Sequence, residues 1–152
     1  MRSKRCSAAR PPRFRQLQQR NLLSVENLAD MVPLAGTLGI EVSKAEPGEV
    51  WGRMEWAPER CTAAGVLHGG ALMAFADTLG GVCAFLNLPD GGATTATIES
   101  KTNFFRAVRE GYVEGVTRPL HVGRSFIVVQ TDLLDAEQRR VAQVTQTQAV
   151  LS

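Results

Sequence analysis

Cysteine is scarce in this chain. Cys6, Cys61 and Cys83 are odd in number, far apart and in no Cys-x-x-Cys pair. That argues against a disulfide framework and against a thiolate zinc site, and it makes a reducing, cytoplasmic setting the expectation. Histidine is scarcer still: His68 and His121 stand alone, with no third ligand at a useful spacing for a metal. No serine sits in a Gly-x-Ser-x-Gly elbow. Neither a phosphate loop nor a dinucleotide fingerprint is present, so no metal, nucleotide or redox cofactor is expected. The first 20 residues contain no acid.

That acid-free segment is strongly basic. It holds Arg2, Lys4, Arg5, Arg10, Arg13, Arg15 and Arg20, seven of the 17 Lys and Arg residues. The remaining ten face all 15 acids, so the body is mildly acidic under a basic tail. A solvated, disordered extension is the first reading of residues 1–20. The Arg-rich composition also fits an organelle transit peptide. A nucleic-acid arm fits least, because no aromatic platform or binding module accompanies it. No apolar run follows, so a secretory signal is not expected. The 152-residue length and 44% hydrophobic content predict one domain, over 34–152, preceded by a short helix within 21–33.

The one long apolar run is Ala71 to Leu88, broken by a single charge, Asp77. Its length brushes the membrane-spanning threshold. A central aspartate is costly in lipid, Gly80-Gly81 interrupts the middle, and no basic residue flanks it. A helix wrapped in protein is therefore expected, roughly Gly70 to Leu86, with Leu72, Phe75, Leu79, Val82 and Leu86 as its packing stripe. Upstream, Ser24 to Met31 has a good N-cap and should end before Pro33. Leu38 to Ser43 and Glu49 to Trp56 read as strands about a Pro47-Gly48 turn, and residues 57–68 as a loop. Downstream, Ala93 to Phe105, Gly111 to His121, Arg124 to Leu134 and Arg139 to Leu151 read as four more strands. Glu110-Gly111, Val122-Gly123 and Asp135 to Gln138 look like hairpin links, which imply antiparallel neighbours. The expected architecture is α+β: one antiparallel sheet curled around a central helix.

Chemistry concentrates in Gly65-Val66-Leu67-His68-Gly69-Gly70 and, further along the helix, Asp77. Glycines at a helix start let a ligand approach the backbone. The first helical amides lack intrahelical partners, lie at the positive dipole end and suit a developing oxyanion. An unusual helix start without function is the alternative. Asp77 lies about 140° around the helix from Leu72, off the packing stripe. It reads as a desolvated general base or nucleophile, or as a structural carboxylate satisfied by hydroxyls and amides. His68 could bond to the turn or touch a substrate; His121, beside a hairpin, reads as structural.

Gly65-x-x-His68-Gly69-Gly70 with Asp77 nine residues past the histidine resembles the hot-dog thioesterases of the phenylacetate-pathway (PaaI-like) type. The segment Thr97 to Val108, His121-Val-Gly123-Arg124 and the Val-Ala-Gln-Val-Thr-Gln-Thr run are similar to that family's later strands. The resemblance covers about residues 34–151. It implies a hot-dog fold and hydrolysis of acyl-CoA, or of acyl carrier protein thioesters. It also implies a homodimer with joined sheets and composite sites, with dimers pairing to a homotetramer. By resemblance, Gly69 donates its amide to the thioester carbonyl, with His68 and Gly70 beside it, and Asp77 acts across the dimer interface. Thr97 and Thr62 help place the water or the carboxylate, and Arg106 and Arg124 meet the CoA phosphates. No cofactor, nucleic acid or membrane enters this picture.

Two positions depart from the family. Thr62 stands where relatives carry Asn or Gln, and Gly81 where some carry Ser or Thr. A non-catalytic acyl-CoA-binding protein and a hydratase or dehydratase on the same fold are the alternatives. The first is left open by Thr62; the second is disfavoured by the spacing of His68 and Asp77.

Overall fold

Hydrophobic periodicity survives as a six-stranded antiparallel sheet with one long helix laid on it. A computed structural model describes residues 31–89 and 93–151. The basic tail, and all but Met31 of the helix expected over Ser24 to Met31, lie outside them. The strands are β1 (Ile40–Glu46), β2 (Glu49–Glu55), β3 (Thr94–Phe104), β4 (Tyr112–Val122), β5 (Phe126–Asp135) and β6 (Arg140–Leu151). The α-helices that lie wholly within the described residues are a single turn α1 (Pro33–Thr37) and the long α2 (Gly69–Leu86). Pro33 does not merely end a helix: it starts α1, where a missing N–H costs nothing. Gly39, at φ +58°, then turns the chain out of α1 into β1.

The sheet order is β1-β2-β4-β5-β6-β3. The hairpins expected at Val122-Gly123 and at Asp135 to Gln138 are present, since β4 pairs with β5 and β5 with β6. The one expected at Glu110-Gly111 is not a hairpin. The chain between β3 and β4 runs through residues 105–111 and carries β4 to the side of β2, while β3 pairs with β6. Strand neighbours are set by which apolar faces cover the helix, and that long-range choice overrides a short link here.

β5 alternates buried and open residues along its whole length, as a strand with one face on a core should. The helix presses Leu72, Phe75, Leu79 and Val82 onto that face. It is seated by two glycines paired across β2 and β4, Gly52 and Gly115. A Cβ on Gly52 would stand 2.7 Å from Leu79, and one on Gly115 only 2.5 Å from Leu79 and 3.0 Å from Phe75. The pair forms a notch for these two side chains. Register shifts in β1, β3, β4 and β6 accompany the sheet's bend around the helix. Pro119 is tolerated because β2 pairs only as far as Thr117, leaving that part of β4 without a neighbour on one side.

The helix lies against the sheet, as expected, with one side open. Among the described residues the sheet covers one side of α2, while on the other Met73 and Asp77 are exposed and Ala74, Thr78, Gly81 and Phe85 partly so. The helix is long and apolar enough to cross a membrane by those measures, with half of it buried against the sheet.

Candidate active site

The start of α2 is held from three directions. Residues 57–68, expected as a loop, contain one 3-10 turn (Pro58–Arg60) and a bridge between Cys61 and Leu67. Trp56 Nε1 donates to the Gly65 carbonyl, Leu67 N to Val108 O at 2.9 Å, and His68 N to Arg60 O at 2.8 Å. Gly65, at φ +67°, makes the tight turn that this tethering needs.

His68 is the N-cap of α2, and its Nδ1 accepts the Gly70 amide at 2.8 Å. With Nδ1 an acceptor, a neutral imidazole carries its proton on Nε2. His68 therefore bonds the turn, one of the two roles expected of it. Gly70, expected to bind substrate, spends its amide on this cap. The Gly69 amide is different: among the described residues it has no acceptor. It stands at the positive end of the helix. Beside it an apolar cleft of about 360 Å³ is walled by Val66, Leu67, Leu72, Phe104 and Phe105, with Arg106 at its edge.

Asp77 sits two turns further along, on the open side of α2. Thr97 Oγ1 donates to its Oδ1 at 3.1 Å, and Gln146 Nε2 donates to the same oxygen. Thr97 in turn accepts from Gln148 Nε2 at 2.7 Å, and Thr95 Oγ1 donates to Gln148 Oε1 at 3.1 Å. Because an amide NH₂ only donates, the Thr97 proton is left to point at Asp77. Asp77 lines a second cleft, of about 350 Å³, with Met31, Val32, Leu34, Val82 and Phe85 as its apolar wall. Asp77 is exposed among the described residues, which do not by themselves supply the desolvation expected for it.

The remaining expected residues fall elsewhere. Thr62 is exposed and occupied with its own turn: its Oγ1 accepts from Ala64 N and its carbonyl from Gly65 N. Arg106 lies by Asp135 at the far end of β5, 3.9 Å from its carboxylate, and Arg124 precedes the start of β5. The ten residues of β5 hold those ends roughly 30 Å apart, so one protomer does not bring both arginines to one phosphate. His121 stacks on Phe126 at the β4–β5 hairpin, with ring centroids 5.0 Å apart.

Gln146 and Gln148 were not expected at the site. They are essentially fully buried, on the face of β6 that also carries Ala142 and Val144. The signal was the alternation itself: two glutamines continuing, in phase, a row of core residues.

Comparison with known proteins fits this geometry. Residues 64–142 match the model of the thioesterase superfamily. The chain is 33% identical over 118 residues to the proofreading thioesterase EntH of Cronobacter turicensis, covering 78% of this chain and 85% of that protein. It is 36% identical over 87 residues to the 1,4-dihydroxy-2-naphthoyl-CoA hydrolase of Escherichia coli, covering 57% of this chain and 63% of that enzyme, just under two thirds. A thioesterase of Haemophilus influenzae superposes with a TM-score of 0.80 at 29% identity, over 86% of this chain and 92% of that one. Sheet order, central helix and sequence together make the chain a hot-dog member of the thioesterase superfamily.

Proposed function

We propose that the protein hydrolyses acyl-CoA thioesters in sites shared between two protomers. The observation that carries this reading is a separation. Gly69 and Asp77 lie eight residues apart on one helix, about 12 Å along its axis at 1.5 Å per residue. A single protomer cannot set both on one thioester carbonyl. Two α2 helices running antiparallel across a twofold axis can, each Gly69 meeting the other chain's Asp77. The open side of α2 supports such packing. So does β3, an edge strand with an exposed Ile98 next to Thr97.

In this arrangement the carbonyl oxygen takes the free Gly69 N–H. Asp77 either removes a proton from water as it attacks the carbonyl carbon, or attacks directly to form an anhydride that water then opens. In the first route the tetrahedral oxyanion collapses, the C–S bond breaks, and Asp77 passes its proton to the departing thiolate. In the second the thiolate leaves as the anhydride forms and takes up the proton released when water opens it, which restores the Asp77 carboxylate. A thiolate is a good leaving group, so this set of groups suffices. Coenzyme A rather than a carrier protein is favoured by the name of the Escherichia coli relative, a CoA-ester hydrolase.

The test is thiol release from a panel of aryl- and alkyl-CoA esters by wild type and Asp77→Asn. Turnover of at least one ester and a loss of about a hundredfold or more in the variant, the scale of a lost general base, are expected. Binding without thiol release by wild type would replace this reading with that of an acyl-CoA-binding protein. Single turnover in heavy-oxygen water tests the second route: label in the Asp77 carboxylate identifies direct attack, with water opening the anhydride at the aspartyl carbon.

A further inference from the structure

We propose that Gln146 is a positioning residue that fixes the Asp77 carboxylate; the inference rests on the reading of Asp77 as the catalytic acid. Gln146 has no exposed surface, and it reaches from β6 to a helix residue 69 positions away in sequence. Its Nε2 donates to Asp77 Oδ1 and lies 3.5 Å from Thr97 Oγ1. Its Oε1 is buried and has no hydrogen-bond partner among the described residues. Turning the carboxamide over would set its oxygen against the carboxylate oxygen, so the observed orientation is the one that Asp77 selects.

The fold makes room for this side chain at a cost. Gly80 faces it from α2, and a Cβ there would overlap the carboxamide oxygen. Burying an unpaired carbonyl oxygen is unfavourable, and an apolar side chain of similar volume would fill the same space without it. Packing therefore gives no reason for a carboxamide here, whereas aiming Asp77 does. Two donors from two strands, Thr97 on β3 and Gln146 on β6, converge on Oδ1. Oδ2 has no partner among the described residues and is the oxygen left for the reaction.

The experiment uses the full chain and an acyl-CoA ester that wild type turns over. It compares Gln146→Met, Asp77→Asn and the double variant by kcat, KM and thermal unfolding. Gln146→Met is expected to keep or raise the melting temperature while kcat falls about ten- to hundredfold, the scale of a misplaced reactive group, with KM little changed. In the Asp77→Asn background the same substitution should add almost nothing, because the group it positions is gone. Gln146→Glu serves as a second variant should the methionine fold poorly. It keeps the volume but points an oxygen at Asp77, so its activity should be low at neutral pH and recover partly on acidification, as the introduced carboxyl gains a proton to donate. Wild-type kcat in Gln146→Met, or a penalty of equal size with and without Asp77, overturns the proposal. Wild-type kcat in Asp77→Asn overturns the underlying reading of Asp77 instead.

Discussion

Asp135 shows how a single carboxylate can hold a turn. Burial pushes its carboxyl upward, but the amide and guanidinium of Arg139 and the amide of Glu137 outweigh this and hold it below the usual aspartate range. A group whose folded value is depressed stabilises the fold at pH above its unfolded value, about 3.9. That contribution disappears as pH falls through the folded value. Asp135→Ala should therefore cost about 1–3 kcal/mol at neutral pH, for lost bonds to a charged acceptor. Urea midpoints of wild type and variant should converge at the acid end of a titration; a gap that stays constant with pH would contradict the assignment. Cys83, by contrast, is walled off, and burial pushes its thiol up to about 11. Which residues make up the candidate site was only partly legible at this scale. Asp77 announced itself as a lone charge in an apolar helix, and Gly69 by its place at the helix start. Gln146 and Gln148 did not, because glutamine normally reads as solvent-facing and only its phase with Ala142 and Val144 says otherwise.

The strands and the long helix were legible because each is bounded by local chemistry: Pro47-Gly48, the His68-Gly69-Gly70 start, and the short links either side of β5. Their order in the sheet was not. The seven residues between β3 and β4 look like a hairpin from inside the sequence, and only the pairing of β3 with β6 shows that they are not. The seat of α2 was equally hidden, since Gly52 and Gly115 lie 63 residues apart and act as one notch. Gly115→Ala should push Leu79 and Phe75 off the sheet, costing about 1–3 kcal/mol as overpacking does. Because α2 carries both Gly69 and Asp77, thiol release should fall with the unfolding midpoint. A variant as stable and active as wild type would show that the notch has slack.

For the whole molecule the central question is whether two chains share a site. Gly69→Pro removes the one amide proton at issue, at a helix position where proline is accepted. His68 before it already has the extended conformation a proline demands, with φ −66° and ψ 134°. Gly69→Pro and Asp77→Asn should each be nearly inactive alone. Co-expressed, random pairing should restore about a quarter of wild-type activity, because half the dimers then own one intact site. No recovery, with mixed dimers demonstrated by mass, would place both groups in the same chain's site. The pairing of β3 with β6 reaches beyond equilibrium structure to biosynthesis. Among the described residues β3 has β6 as its sole sheet neighbour, and β6 also supplies Gln146 and Gln148. A nascent chain carries Asp77 and Thr97 long before the strand that joins them has been translated. The network at Asp77 therefore closes only once β6 has been made: a chain stopped after β5 has the carboxylate but neither Gln146 to donate to it nor the strand that seats Thr97.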